Sequence, residues 1–230
     1  MAIPSFYYKD LALLDKTIEL DPQESSHAVS SRRLKPGHAV RIFNGEGLVA
    51  LGVLGIATRK RVSVEISSID QHKRPNRLLS VAVALPKGDR QKVMIDMLTQ
   101  LGVFEIIPLR CDRSIAKFRD SSRDKWERVA VEACKQSQNP WLPVISEEIA
   151  IEELLGDRDR NLIYAGIDAS SSTDITESFD DLTVLVGPEG GFSEDEFAKL
   201  HQFSVPSISV GRYILRTEVA AAAVISSLLD

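Results

Sequence analysis

The stretch LLSVAVALPKGDRQKVMIDMLTQLGVFEIIPL, residues 78–109, decides the fold. Residues 78–85 are an apolar run of strand length, broken by the loop Pro86-Lys87-Gly88-Asp89. Met94, Met97, Leu98 and Leu101 then recur at i, i+3, i+4 and i+7, which is one face of a helix. Gly102 ends that helix, and residues 103–109 form a second apolar run. Strand, helix, strand in this order is a βαβ unit, with parallel strands and a right-handed crossover. The predicted class is α/β. A second amphipathic helix is expected over residues 123–137, with Trp126, Val129, Ala130 and Ala133 inward. Further strands are expected at 162–167, 183–186 and 207–210.

Two segments near the C-terminus carry the chemistry: VLVGPEGGFSEDEF, residues 184–197, and VGRYILRTEVAAAAV, residues 210–224. Each is an apolar run that stops at glycine, passes a loop and enters a helix. Loops at the ends of neighbouring strands are where an open α/β sheet holds a ligand. Gly187, Gly190 and Gly191 permit close approach to the main chain, and Pro188 stiffens the turn. Ser193 and Glu196 form a capping box for the following helix. Glu189, Glu194, Asp195 and Glu196 set like charge against a polyphosphate, and neither a P-loop nor a dinucleotide fingerprint is present. A neutral or cationic ligand fits better. The spacing also fits an ordinary loop whose glycines only turn the chain. In the second segment Thr217 is the expected N-cap. Arg216 stands at the loop–helix junction, either as a substrate contact or in a salt bridge to Glu189 or Glu218.

The chain of 230 residues has room for one large domain or two smaller ones, with 43% hydrophobic and 27% charged residues. No basic start precedes an apolar segment, and the longest apolar stretch, 48–57, is too short to span a bilayer. Cys111 and Cys134 have no metal or redox spacing and read as reduced thiols of a cytoplasmic protein. The four histidines are scattered, so no metal site is expected. Net charge is −5, yet residues 27–77 hold ten basic residues against three acidic ones. Clustered charge of this kind points to a polyanion; the competing reading is a solvated surface. The same region alternates apolar residues at Val40 and Ile42, at Val49, Leu51 and Val53, and at Val62, Val64 and Ile66. Pro36-Gly37 and Asn44-Gly45-Glu46-Gly47 mark turns, giving a small β-barrel over residues 1–71. Its turns carry Arg32, Arg33 and Lys35, and Arg59, Lys60 and Arg61. Residues 72–77 read as a linker and 78–230 as the second domain.

The segments KGDRQKVMIDMLTQLGVFEIIPLRCDRSIAKF, KWERVAVEACKQSQNPWLPVI, VGPEGGFSEDEF and ILRTEVA resemble the bacterial family that methylates N3 of a uridine in 16S ribosomal RNA. That family is part of the SPOUT class of S-adenosylmethionine-dependent methyltransferases. RRLKPGHAVRIFNGEG resembles its PUA-like barrel. The resemblance implies a C-terminal domain with a trefoil knot and a mostly parallel sheet, and a homodimer whose knots meet, with the alanine-rich last helix suited to that contact. It places the methyl donor between Gly187, Pro188, Glu189, Gly190 and Gly191 on one side and Gly211 to Glu218 on the other. Leu185, Ile214 and Leu215 would be apolar walls, with Arg216, Thr217 and Glu218 closing the pocket. The implied partner is 16S ribosomal RNA or the small ribosomal subunit.

A sulfonium methyl placed in line with N3 needs little further activation, but the N3 proton must leave. Arg216 is expected to orient the base or its developing negative charge, with Glu189 as a second catalytic candidate. RNA contacts are expected at the basic turns and at Lys87, Arg90, Arg113 and Asn139. The chain departs from the family pattern at its first residues, where the first basic residue is Lys9, and at Tyr213 and Val219. Rival readings are a SPOUT enzyme acting on another RNA or on ribose 2′-O, and a non-catalytic ribosome-assembly factor.

Overall fold

The computed structural model describes residues 3–166, 180–209 and 211–229. Ile167 and Val210, the expected ends of two strands, lie outside the described residues. The chain divides into two compact units, Met1–Arg74 with Val131–Leu142, and Pro75–Ala130 with Pro143–Asp230.

The first unit contains β1 (Ser5–Tyr7), β2 (Thr17–Glu19), α1 (Pro22–Ser26), β3 (Ala39–Phe43), β4 (Leu48–Ala57) and β5 (Val62–Gln71). The strand order is β1-β3-β4-β5-β2. All five strands supply one core, with Phe6, Ile18, Ile42, Leu54 and Val64 buried together, so the sheet curls around it. Two short strands and the helical turn were not foreseen in the sequence. The turn is set locally: Asp21 accepts from the amides of Gln23 and Glu24, and Pro22 occupies the first helical turn. A π-helical turn, His27–Ser31, continues it.

The alternation expected at Val49, Leu51 and Val53 is displaced. The core face of β4 is Ala50, Gly52 and Leu54, with Ala50 and Gly52 opposite Ile42 and Val40 of β3, and Leu51 is exposed. Val49 instead joins Phe43 and Cys134 in a second cluster, packed by Leu142. Those partners come from Val131–Leu142, which is why this segment counts with the first unit. Arg41 donates to Ser5 Oγ at 2.9 Å and to the Gln138 carbonyl at 3.0 Å. Lys135, 8% exposed, is paired with the buried carboxylate of Glu24 and with Glu132. Burial raises the Glu24 pKa, the Lys135 hydrogen bond opposing it.

The second unit is built on a parallel sheet. Its strands are β6 (Leu78–Ala84), β7 (Glu105–Arg110), β8 (Val144–Ile145), β9 (Ile149–Ala150), β10 (Leu162–Ala165), β11 (Asp181–Val186) and β12 (Ser207–Ile208). They run in the order β12-β10-β11-β6-β7-β8, with β9 also on β7, and each pair is parallel. The helices are α2 (Arg90–Gln100), α3 (Asp120–Ser137, its residues from Val131 on counting with the first unit), α4 (Ile151–Gly156), α5 (Glu194–Gln202) and α6 (Thr217–Leu228). β6, α2 and β7 are the βαβ unit read in residues 78–109.

Strand residues alternate between two covered faces, as a parallel sheet requires. Ala82, Ala84, Ile107 and Leu185 meet Ile151, Leu154 and Leu200 of α4 and α5. Val81, Val83, Val184 and Val186 are buried pointing the other way, and α6 packs on β6, β10, β11 and α2. The buried stripe of α2 is rotated from the expected one: Ile95 and Thr99 are buried with Met94 and Leu98, while Met97 and Leu101 are half-buried. In α3, Trp126, Ala130 and Ala133 are buried and Val129 is half-buried.

Two outcomes test this packing. Gly47 has φ +92°, and a Cβ there would lie 2.3 Å from the Trp141 indole. Gly37 has φ +87° with open space around it. Gly47→Ala is expected to cost about 2–4 kcal/mol and Gly37→Ala about 1–2 kcal/mol, read by thermal unfolding. Burial pushes the thiols of Cys111 and Cys134 up to about 12. Neither is therefore expected to be alkylated by iodoacetamide at neutral pH until the protein is unfolded.

Candidate functional site

A cavity of about 670 Å³ lies at the ends of β10, β11 and β12. That is the size of a small-molecule site, at the strand ends where open α/β sheets place one. Its floor is a cluster of three aromatic rings. Tyr164, Phe192 and Phe197 meet edge to face, with centroids 5.7 to 6.2 Å apart.

One wall is the glycine loop. Gly191 donates to the Pro188 carbonyl at 2.8 Å and sits at φ +69°. A Cβ on Gly187 would stand 3.3 Å from the Phe192 ring, so the close turn favours glycine there. The loop's carbonyls have partners outside it. Thr217 Oγ1 donates to Gly187 at 3.3 Å, and Arg113 Nη1 donates to Gly190 at 2.8 Å and to Phe192 at 3.1 Å. The loop ends in the expected capping box: Ser193 Oγ accepts from Glu196 N, and Glu196 Oε2 accepts from Ser193 N at 2.7 Å. Glu196 Oε1 also accepts from Asp112 N at 2.9 Å, and Ser193 Oγ donates to Asp112 at 2.6 Å. Glu196 is thus a structural carboxylate, 1% exposed.

The opposite wall is the loop into α6. Gly211, at φ +84°, lines the cavity with Arg212, Tyr213, Ile214 and Leu215. Arg216, not Thr217, is the N-cap of α6. Thr217 is the first helical residue, and its hydroxyl reaches the glycine loop instead of its own helix.

Of the expected donor-site residues, Gly187, Pro188, Glu189, Gly191, Gly211, Ile214, Leu215 and Thr217 line the cavity. Leu185 is directed into the core beneath it, because strand alternation turns Val186 to the cavity. Gly190, Arg216 and Glu218 lie outside the lining. Arg216 is exposed, and the ion pair expected between it and Glu189 or Glu218 is not formed. Both acids face Arg90 instead, Glu189 at 2.8 Å and Glu218 at 3.8 Å. Sequence reading did not foresee Tyr164, Gly166, Phe192, Phe197, His201 or Ser207 as lining residues. They come from a strand end, an aromatic floor and a helix that residue spacing does not bring together.

The basic candidates fall into two groups. Arg32, Arg33, Lys35, Arg59, Lys60 and Arg61 are exposed on turns of the first unit, Arg61 pairing with Glu19 at 3.0 Å. Arg41 is buried, Arg74 stacks on Trp141 at 4.5 Å, and Arg77 donates to the Leu228 carbonyl. The exposed charge of residues 27–77 is therefore smaller than their formal count. Lys87 is exposed on the turn before α2. Arg90 and Arg113 are engaged by the ligand loop. Asn139 accepts from Trp141 N at 3.0 Å within the first unit. Among the described residues no group of three or more His, Cys, Asp or Glu is placed to hold a metal, and no helix is long and apolar enough to cross a membrane.

Comparison with known proteins gives a consistent family. The profile of the RNA methyltransferase domain matches residues 73–229, and that of the RNA methyltransferase PUA domain matches residues 20–67. Ribosomal RNA small subunit methyltransferase E of Rickettsia conorii is 33% identical over 213 residues, 89% of this chain and 86% of that protein. The protein of the same name from Aquifex aeolicus is 30% identical over 182 residues, 75% of this chain and 77% of that one. The crystal structure of ribosomal RNA small subunit methyltransferase E from Neisseria gonorrhoeae bound to S-adenosyl methionine has a TM-score of 0.89 at 25% identity. It covers 99% of this chain and 97% of its own.

The clamp on the glycine loop is directly testable. Arg113→Ala removes two hydrogen bonds to loop carbonyls from an exposed side chain. It is expected to cost about 1 kcal/mol of global stability. Amide hydrogen exchange at residues 190–193 should accelerate while β6 and β11 keep their protection.

Proposed function

This chain belongs to the RNA methyltransferase family, and from that premise we propose that it transfers a methyl group from S-adenosylmethionine to small-subunit ribosomal RNA. The finer reading is N3 of a uridine in 16S ribosomal RNA. The observation that carries it is the cavity between the glycine loop and the turn into α6.

The cavity's residues fit the donor. It offers backbone groups at four glycines, an apolar wall at Ile214 and Leu215, and the carboxylate of Glu189. It lacks the cationic cradle a polyphosphate needs, Arg212 being the one Lys or Arg side chain on it among the described residues. When bound, S-adenosylmethionine supplies a methyl already activated by a sulfonium. The protein's part is placement. The turn at Gly191 and the Thr217 hydrogen bond hold the two walls in fixed relation, and alignment of this kind supplies much of the rate. Arg216, exposed at the start of α6, is the cation that meets the uracil as negative charge develops with loss of the N3 proton. Arg32, Arg33, Lys35, Arg59, Lys60 and Arg61 supply phosphate contacts, and exposed Lys87 adds another.

The homodimer and the knot are part of the same proposal. Tyr213 and Ile214 are 78% and 79% exposed beside the cavity, and Val219 of α6 is 42% exposed. Exposed apolar side chains of this kind suit a second copy of the chain.

Calorimetric titration with S-adenosylmethionine tests the reading. One saturable site per chain is expected, abolished by Gly191→Val, which puts a β-branched residue at positive φ inside the loop. Absence of binding by the unaltered protein contradicts the reading. Arg216→Ala is expected to lower the methylation rate at least about tenfold while leaving donor affinity within about twofold. An unchanged rate removes Arg216 from the mechanism.

A further inference from the structure

Arg90 is shared between two acids that it does not serve equally. It is the first residue of α2, and the two nitrogens of its fork address Glu189 and Glu218 separately. Nη2 lies 2.8 Å from Glu189 Oε1, within hydrogen-bond reach. Nη1 lies 3.8 Å from Glu218 Oε2, beyond it. Glu218 is 5% exposed, and its Oε2 is a buried oxygen with no hydrogen-bond donor. A buried carboxylate oxygen left unpaired is costly, even at the first turn of α6, where the helix dipole favours its charge. Glu189 differs in both respects. Its side chain is 37% exposed, and it lines the cavity.

The geometry points to an exchange of partners. We propose that Arg90 holds Glu189 in the free protein and closes on Glu218 when a cation enters the cavity. Glu189 thereby becomes the residue that distinguishes the sulfonium donor from the uncharged thioether left after methyl transfer. This rests on the methyl-donor reading above. A cation in the cavity competes with Arg90 for Glu189 because Glu189 faces both. Releasing Nη2 is offset by the bond that Glu218 Oε2 lacks in the free protein. A neutral ligand exerts no such pull, so Arg90 stays on Glu189 and the product is held less tightly than the donor. Glu189 is then a specificity residue, and Arg90 and Glu218 are positioning residues acting through it.

The experiment is calorimetric titration of the full chain with S-adenosylmethionine and, separately, with S-adenosylhomocysteine. The two ligands differ by the methyl group and the sulfonium charge, so the ratio of their dissociation constants isolates recognition of that charge. The unaltered protein is expected to favour the donor. Glu189→Gln should reduce that preference about fivefold. Glu218→Gln should reduce it in the same direction, by leaving Arg90 on Glu189, and the double variant should fall no further than Glu189→Gln alone. Arg90→Gln should raise the preference about fivefold, since Glu189 is then free before any ligand arrives. That opposite sign keeps the proposal testable if Glu218→Gln does not fold. A Glu218→Gln protein with the unaltered ratio, additive losses in the double variant, or an Arg90→Gln protein that loses affinity for both ligands equally overturns the exchange. Failure of the unaltered protein to bind either ligand overturns the methyl-donor reading itself.

Discussion

A loop that leaves a parallel sheet must find partners for its carbonyls elsewhere, and here that constraint organises the whole site. Residues 187–192 lie beyond β11, so neither sheet nor helix serves them. Two donors from other segments do so, Thr217 at the start of α6 and Arg113 after β7, and Gly191 adds a bond within the loop itself. The two outside donors fix the loop relative to different elements. The Thr217 hydroxyl is the most consequential, because it ties one cavity wall to the helix that forms the other. Glu196 completes the arrangement by serving its own helix cap and the amide of Asp112 at once.

The charge pattern follows from the same frame. A glycine loop before a helix usually receives phosphate, since free amides and the helix dipole both favour an anion. Here the capping box uses the amides of Ser193 and Glu196, and acidic residues fill the first turn of α5. Among the described residues, what faces the cavity includes glycine backbones, aromatic rings, Arg212 and one carboxylate, Glu189. Arg90 balances that carboxylate from behind. The site is therefore suited to a ligand with a cationic centre and apolar rings.

Much of this was legible in the sequence because it rests on local rules. The βαβ unit of residues 78–109 follows from the change of period between strand and helix. The Ser193–Glu196 box follows from its spacing, and the acidic surroundings of the loop weigh against polyphosphate without any coordinates. The illegible parts are long-range pairings. Arg90 and Glu189 are distant in sequence, and the sequence reading offered Arg216, as an alternative to its substrate role, for the pair that Arg90 makes. The segment 131–142 counts with the first unit through long-range contacts such as those of Cys134 and Leu142 with Phe43 and Val49 and of Lys135 with Glu24. Leu51 and Leu185 depart from expectation for a smaller reason. The small residues Ala50 and Gly52, not Leu51, oppose the large core residues of β3, and strand alternation turns Leu185 away from the cavity.

In the proposed function the cavity's two walls place a sulfonium methyl against N3 of a uridine in small-subunit ribosomal RNA. Nucleoside mass spectrometry of small-subunit ribosomal RNA, after incubation with the protein and methyl-labelled S-adenosylmethionine, tests it most directly. The label is predicted in N3-methyluridine at a single position. Label in a 2′-O-methylated nucleoside, or in no nucleoside at all, contradicts it.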